Sequence, residues 1–257
     1  MQALENNLVS NVKPLDYSEI IEPFYQPILN RERQVIGFEA LARYRVYPCE
    51  GYRSIDFQTV NNDDALHIDI IMLKAILRHL PRIAKFGARV LSINLNPTLG
   101  GCTYQNLLLV VLMHARKLDI IIWFEVLEYA SLGSKEVALI EILRSHGARI
   151  VCDDFGTYEC NFQRVMMLPY EIIKLDRSLL LQATKSSHAL RMLAGLVKYL
   201  QQLDMKIVCE GIETKTHLDI ADRLGCEYQQ GYLYAMPSPL SRWISVHQST
   251  FNPTWVS

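Results

Sequence analysis

Short apolar runs recur along this chain, and each is stopped on its downstream side by a polar residue. Glu39 follows Val35-Ile36-Gly37-Phe38, Asn94 follows Val90-Leu91-Ser92-Ile93, and Glu125 follows Ile120-Ile121-Ile122-Trp123-Phe124. Asp153 and Asp154 follow Ile150-Val151-Cys152, and Lys174 follows Ile172-Ile173. Glu210 follows Ile207-Val208-Cys209, and Gln230 closes the segment from Cys226 to Gln229. If the runs are parallel strands of one barrel, their C-terminal ends meet at one mouth, where such folds carry their chemistry. Five carboxylates gathered there would repel one another without cations, so the pattern predicts a divalent-metal site.

The spacing between the runs supports that arrangement. Phe24 to Leu29 and Gln34 to Phe38 read as strands joined by Asn30-Arg31-Glu32-Arg33, a link that suits an antiparallel hairpin and is too short for a helical crossover. Asp63 to Leu80 carries Leu66, Ile70, Leu73 and Leu77 at helical spacing, with Asn62 or Asp63 as N-cap. Strands then alternate with helices: strand 89–94, helix 104–117, strand 119–125, helix 135–146, strand 148–153, strand 171–175, helix 187–203, strand 205–209, helix 215–224 and a last strand near 227–230. Gly87, Gly147 and Gly225 punctuate helix-to-strand turns. The alternation implies right-handed βαβ units and a parallel sheet, and the polar strand ends favour a closed barrel over an open one. No glycine-rich nucleotide-binding loop follows any strand. The 257 residues match the ~250 of one barrel. The expected division is a tail over 1–18, a single barrel domain over 19–248 and a tail over 249–257.

Other classes are disfavoured. A net charge of −1 offers no basic face for nucleic acid, and no apolar run approaches the ~20 residues of a membrane span. The start Met-Gln-Ala-Leu-Glu-Asn-Asn lacks the basic and apolar regions of a signal peptide, so cytoplasmic residence is expected. The six cysteines include no C-x-x-C pair and suggest neither zinc nor a disulfide frame. Cys152 and Cys209 read as buried apolar residues, and Cys160 sits in a polar loop. The histidines fall mostly within helices, in surface or helix-end roles.

The adjacent pair Asp153-Asp154 is the sharpest local feature. It can reach two cations, and metals ~3.5–4 Å apart are the usual device for cutting phosphodiesters. Glu39, Asn94 and Glu125 could complete one shell and Glu210 the other. Lys174 could hold the attacking water or stabilise phosphate charge, and Arg43 could grip a phosphate. Each has an ordinary alternative: Asp-Asp as a helix cap beside a solvated acid, Lys174 with Asp176 as a surface ion pair, Asn94 as a turn residue. Their shared position at successive strand ends favours a common site. Glu128 and Glu213 lie nearby as supporting acids.

From about Ile21 to Ser241 the chain resembles the EAL-domain family of cyclic-di-GMP phosphodiesterases. The resemblance rests on Glu39-Ala40-Leu41-Ala42-Arg43, Asn94-Leu95-Asn96-Pro97, Glu125-Val126-Leu127-Glu128, Asp153-Asp154-Phe155-Gly156-Thr157, Lys174-Leu175-Asp176, Glu210-Gly211-Ile212-Glu213 and Gln230-Gly231-Tyr232. It implies a modified TIM (β/α)8 barrel with one antiparallel strand. It implies Glu39, Asn94, Glu125, Asp153, Asp154 and Glu210 as ligands of two Mg²⁺ or Mn²⁺ ions, with Asp153 bridging. Lys174 would orient water, and Gln230 would support the site. Arg43, with Gln26, Leu41 and Pro237, would contact the ligand, while Glu128, Asp176 and Glu213 would brace the site. The implied reaction opens cyclic di-GMP to linear pGpG, in a protein that often dimerises.

The chain departs from the family pattern in places. Tyr158 stands where the family has glycine, Cys160 and Asn161 replace small hydroxyl residues, Leu127 replaces threonine and Asn96 replaces serine. All the ligand positions are kept, while the groups that support them are altered, and such losses cost ~10–100-fold in affinity or activity. An active phosphodiesterase is the leading expectation. The alternative is a weak or inactive regulatory barrel that binds cyclic di-GMP or a protein partner such as a transcription factor.

Overall fold

The computed structural model describes residues 21–45, 51–97, 101–126, 133–157 and 165–245. Strands β1 (Ile21–Asn30) and β2 (Val35–Arg45) form the expected antiparallel hairpin, but each runs longer than its apolar core. Its turn is closed by Asn30 Oδ1, which accepts from the Gln34 N–H at 2.8 Å, and by Arg33 at φ 64°. Three residues of β3 (Tyr52–Ser54) add to the far end of β2.

Helix α1 (Asn62–Phe86) starts earlier and ends later than its periodicity suggests. Its N-cap is Asn61, whose side chain accepts from Asp64 N at 2.9 Å; the cap expected at Asn62 or Asp63 is displaced by that bond. The helix also continues through Pro81 to a Gly87 cap at φ 99°. Leu80, Ile83 and Phe86 are buried along one face, and that packing holds the turn that proline weakens.

The rest follows in order: β4 (Val90–Leu95), α2 (Cys102–Lys117), β5 (Ile121–Val126), α3 (Ser134–Ser145), β6 (Arg149–Phe155), β7 (Ile172–Leu175), α4 (Arg177–Lys185), α5 (Ser187–Gln202), β8 (Lys206–Cys209), α6 (Lys215–Leu224), β9 (Tyr228–Gln229), β10 (Ser238–Pro239) and α7 (Leu240–Ile244). Elements β3, α4, β10 and α7 were not expected from the sequence. Among the described residues no helix is long and apolar enough to cross a membrane.

Pairing runs β1-β9-β8-β7-β6-β5-β4-β2, and β2 returns to β1, so eight strands close a ring with β3 and β10 flanking it. Every neighbouring pair from β2 through β4 to β9 is parallel, whereas β1 is antiparallel to both β2 and β9. The fold is thus an α/β barrel of the TIM type with one reversed strand, as expected.

Strand alternation divides the side chains cleanly. Phe38, Leu91, Ile93, Phe124, Ile150, Cys152, Ile173, Ile207 and Cys209 join the main core, which includes buried faces of the helices. Ile28, Val90, Trp123, Val151, Ile172 and Val208 form a separate buried cluster contributed by six strands, with Ile36 and Tyr228 against it. That cluster plugs the barrel interior. One layer nearer the mouth, the inward faces of the strands carry Gln26, Glu39, Ser92, Glu125, Asp153, Lys174, Glu210 and Gln230, with Gly37 the β2 residue level with the plug. The ring therefore stacks a polar layer directly on an apolar one.

Candidate active site

Lys174, at the end of β7, sits at the centre of the polar layer and is only 2% exposed. Its Nζ lies 2.9 Å from Glu125 Oε1, 2.9 Å from Asp153 Oδ1, 2.9 Å from Glu210 Oε1 and 3.3 Å from Glu39 Oε1. Four acids thus surround one ammonium, which has three N–H groups to give. The shortfall shows in the bonding. Asp153 Oδ1 is close enough for an ion pair but outside hydrogen-bond geometry, and Glu125 Oε2 is buried with no hydrogen-bond partner. Lys174 is therefore not the surface partner of Asp176 that the plain reading allowed.

Proton affinities follow from this crowding. Burial favours the neutral amine of Lys174, but the surrounding carboxylates outweigh it and hold the charged form well above the ordinary lysine range. Burial, reinforced by the charge on Glu39, pushes Glu125 well above the usual carboxylate range. Burial pushes Glu210 up to about 8 despite the pull of Lys174. Burial also opposes ionisation of Glu39, yet Lys174 and the Gln230 amide hold it below the usual value.

Two bonds orient these acids. Ser92 Oγ donates to Glu125 Oε1 at 2.6 Å. Gln230 Nε2 donates to Glu39 Oε2 at 2.5 Å and to Gln26 Oε1 at 3.2 Å, and Gln26 Nε2 donates to the Ala235 carbonyl at 3.2 Å. Gly231 lets this arm close, because a Cβ there would run into the Ile212 backbone. Ser92 was not singled out from the sequence. The signal available was its position two residues before Asn94, on the same strand face.

Consecutive residues of a regular strand face opposite ways, so Asp153 and Asp154 should not share a site. The β6–β7 register shifts between Cys152 and Phe155, and Asp154 takes φ 49°. This bulge turns both carboxylates toward the mouth. Asp153, Asp154 and Glu210 offer oxygens that all lie within 4.8 Å of one another. Asn94 is the ladder partner of Glu125 and shares the inward parity.

The remaining candidates divide. Arg43 and Leu41 lie on β2 beyond the rim, where partial burial lowers the proton affinity of Arg43 and the charge of Glu39 opposes that. Pro237 immediately precedes β10, which pairs with β1. Asp176 instead caps α4, accepting from Ser178 N at 2.9 Å, and Glu213 pairs with Arg177 at 2.6 Å. Glu128, Leu127, Tyr158, Cys160 and Asn161 lie outside the described residues.

The site fits hard divalent cations. Its donors are oxygens, two buried carboxylate oxygens (Glu125 Oε2 and Asp153 Oδ1) have no hydrogen-bond partner, and its acids remain paired with a single cation only by taking up protons.

A barrel with an acid-lined mouth is the class this geometry defines. The EAL domain model matches residues 18–237, and the chain belongs to that family. It is 29% identical over 230 residues to the protein named cyclic di-GMP phosphodiesterase NbdA from Pseudomonas aeruginosa, covering 86% of this chain and 29% of that one. The chain thus spans under a third of that relative's length. Among solved structures, the EAL enzyme Bd1971 in its cGMP-bound form superposes with a TM-score of 0.76 at 24% identity, over 95% of this chain and 68% of that one. The YkuI protein of Bacillus subtilis, solved with cyclic di-GMP and calcium, superposes with a TM-score of 0.72 at 22% identity, over 93% of this chain and 64% of that one. At these identities the superpositions speak for the fold.

Proposed function

We propose that this chain is a cyclic-di-GMP phosphodiesterase that opens the ring to linear pGpG. The observation that carries the proposal is the carboxylate cluster of Asp153, Asp154 and Glu210, set beside acids held by Lys174. The names of its relatives support the choice of substrate. Glu39, Asn94, Glu125, Asp153, Asp154 and Glu210 would hold two ions, Mg²⁺ or Mn²⁺. When bound, such ions supply a hydroxide near neutral pH and neutralise charge on the phosphate.

The chain's own residues do the rest. Lys174 would hold the attacking water through one of its N–H groups. Gln230 keeps Glu39 aimed inward. Arg43 grips a phosphate oxygen of the substrate, and Gln26, Leu41 and Pro237 border the ring. The apolar plug beneath excludes bulk water from the floor, which strengthens every charge interaction above it. The working unit is the span 19–248, acting in the cytoplasm and as a homodimer.

Incubation with cyclic di-GMP and Mn²⁺ should yield pGpG by chromatography, and Glu39→Ala should abolish it. No product, together with no Mn²⁺-dependent thermal shift, would overturn the proposal. The substitutions at Leu127, Tyr158, Cys160 and Asn161 favour one second reading, a barrel that grips a regulatory protein without turnover. A stoichiometric regulator captured from lysate by protein that yields no pGpG would favour it.

A further inference from the structure

The polar ring is where the cations and one phosphate would sit, but a cyclic dinucleotide carries two bases and two phosphates. Its second half must lie outside the ring. Beyond the rim, β2 keeps going: its last ladder pair with β4 is Ala40 with Ile93, yet the strand continues to Arg45. Those five residues add about 16 Å at ~3.3 Å each. The first half of β1 runs beside them from Ile21 to Tyr25, and β3 adds a third strand at the outer edge. The barrel therefore carries a three-stranded ribbon standing on one side of its mouth.

The two faces of this ribbon differ. One face carries Ala42 and Tyr44, which pack with Ile21, Ile55, Ile68 and Met72 against α1. The opposite face continues the inward parity of Glu39 through Leu41, Arg43 and Arg45. Cross-strand partners extend it: Phe24 opposes Leu41, Glu22 opposes Arg43, Ser54 opposes Arg43 from the other side, and Tyr52 opposes Arg45. The Phe24 and Tyr52 rings meet at 4.9 Å between centroids, and the Tyr52 hydroxyl lies beside the Glu22 carboxylate. Tyr52 remains 39% exposed, and Arg45 is exposed beside it. Among the described residues neither Arg43 nor Arg45 makes an ion pair. Two guanidinium groups and an aromatic platform, with Glu22 beside them and Glu39 at the rim, therefore face the same open side as the mouth.

We propose that Tyr52 and Arg45 form a second subsite for the nucleotide half remote from the cations, with the Tyr52 ring stacking a purine base and Arg45 meeting the uncut phosphate. Phe24 backs the Tyr52 ring and keeps it at a fixed tilt. This placement rests on the cyclic-dinucleotide reading and deepens it. It also gives β3, a three-residue strand with every residue exposed, a task that packing alone does not assign. An aromatic platform suits a base of any identity, and an exposed arginine suits a planar phosphate contact.

The test is calorimetric binding of cyclic di-GMP to the full chain, with Ca²⁺ as the ion, for wild type, Tyr52→Ala, Tyr52→Phe and Arg45→Gln. Tyr52→Ala and Arg45→Gln should each weaken binding about tenfold, and Tyr52→Phe, which keeps the ring, should stay within about twofold of wild type. In turnover with Mn²⁺ the same two losses should appear in KM, with kcat little changed. Circular dichroism and melting curves matching wild type show that the fold has been kept. Wild-type affinity in both Tyr52→Ala and Arg45→Gln would overturn the subsite while leaving the phosphodiesterase reading intact. An equal loss in Tyr52→Phe and Tyr52→Ala would overturn the stacking role. Failure of wild type itself to bind the dinucleotide would overturn the reading beneath it, and the subsite with it.

Discussion

At the scale of single residues, the site is a problem in charge balance, and Lys174 carries most of the solution. Its ammonium is fully enclosed by four carboxylates. Replacing it by Met leaves those acids with no positive partner in the metal-free protein. Breaking such a buried pairing from one side costs ~3–5 kcal/mol. Lys174→Met should therefore melt well below wild type in EDTA, and Mn²⁺ should recover much of the difference; equal melting temperatures in EDTA would refute this. Glu210 gives a pH signature. Its proton affinity is raised from 4.5 to about 8 in the folded chain, so its contribution to stability is complete below 4.5 and disappears as pH rises through 8. Glu125 acts in the same sense. Glu39 shifts the other way, and its effect lies at the acid end, outside this window. In EDTA the melting temperature should fall between pH 5 and 8, and saturating Mn²⁺ should flatten or reverse that slope, since the ion binds the ionised acids. A metal-free melting temperature that rises across this range would contradict the assignment. The acids themselves were legible in the sequence because each terminates an apolar run. The bond from Ser92 to Glu125 was not, because its partner stands 33 positions away and a serine within a strand is unremarkable by itself.

At the scale of elements, the sequence spoke clearly wherever a period repeats often enough to be counted. The hairpin of β1 and β2, the parallel strands and the long helices all meet that condition. Helix α4 does not: it has nine residues, and only Leu180 and Ala183 are buried. It starts at the Asp176 cap directly after β7, and Ser186 ends it while capping α5. Strands β3 and β10 have three and two residues, too few for alternation to show. The bulge at Asp154 is equally silent, since aspartate tolerates positive φ without signalling it. Helix α1 erred in the opposite direction, because Pro81 reads as a stop. Its exposed position and the buried residues after it let the helix continue at the expense of one backbone bond. Pro81→Ala should restore that bond and raise stability by up to ~3 kcal/mol in chemical denaturation. A variant no more stable than wild type would mean that the local backbone has already relaxed around the proline.

At the scale of the whole molecule, the barrel separates support from chemistry by height along its axis. The plug of Ile28, Val90, Trp123, Val151, Ile172 and Val208 touches every strand that bears an acid except β2, which contributes Ile36 at its margin. Trp123 is its largest member, 4% exposed, with its ring 5.2 Å from that of Tyr228. Trp123→Ala would leave a void that six strands cannot all close around, at a cost of ~3–5 kcal/mol. Urea unfolding should show that loss, and the midpoint for metal-induced stabilisation should move to higher Mn²⁺ as the floor beneath Glu125 loosens. An unchanged midpoint in Mn²⁺ would show that the floor does not position the acids. The barrel class could be read from the chain because each strand obeys the same two-residue rhythm. The ribbon above the mouth could not, since its open side mixes Leu41, Phe24 and Tyr52 with Arg43, Arg45 and Glu22 and shows no regular rhythm.

The contact between Gln26 and Gln230 joins side chains 204 residues apart, and the same Gln230 amide nitrogen also donates to Glu39. A chain still emerging from the ribosome has the early half of this rim long before the late half arrives. Whatever affinity the mouth has for cations must therefore stay incomplete until Glu210 and Gln230 have emerged. Ion capture by nascent chains of increasing length would then serve as a clock for the moment the ring snaps shut.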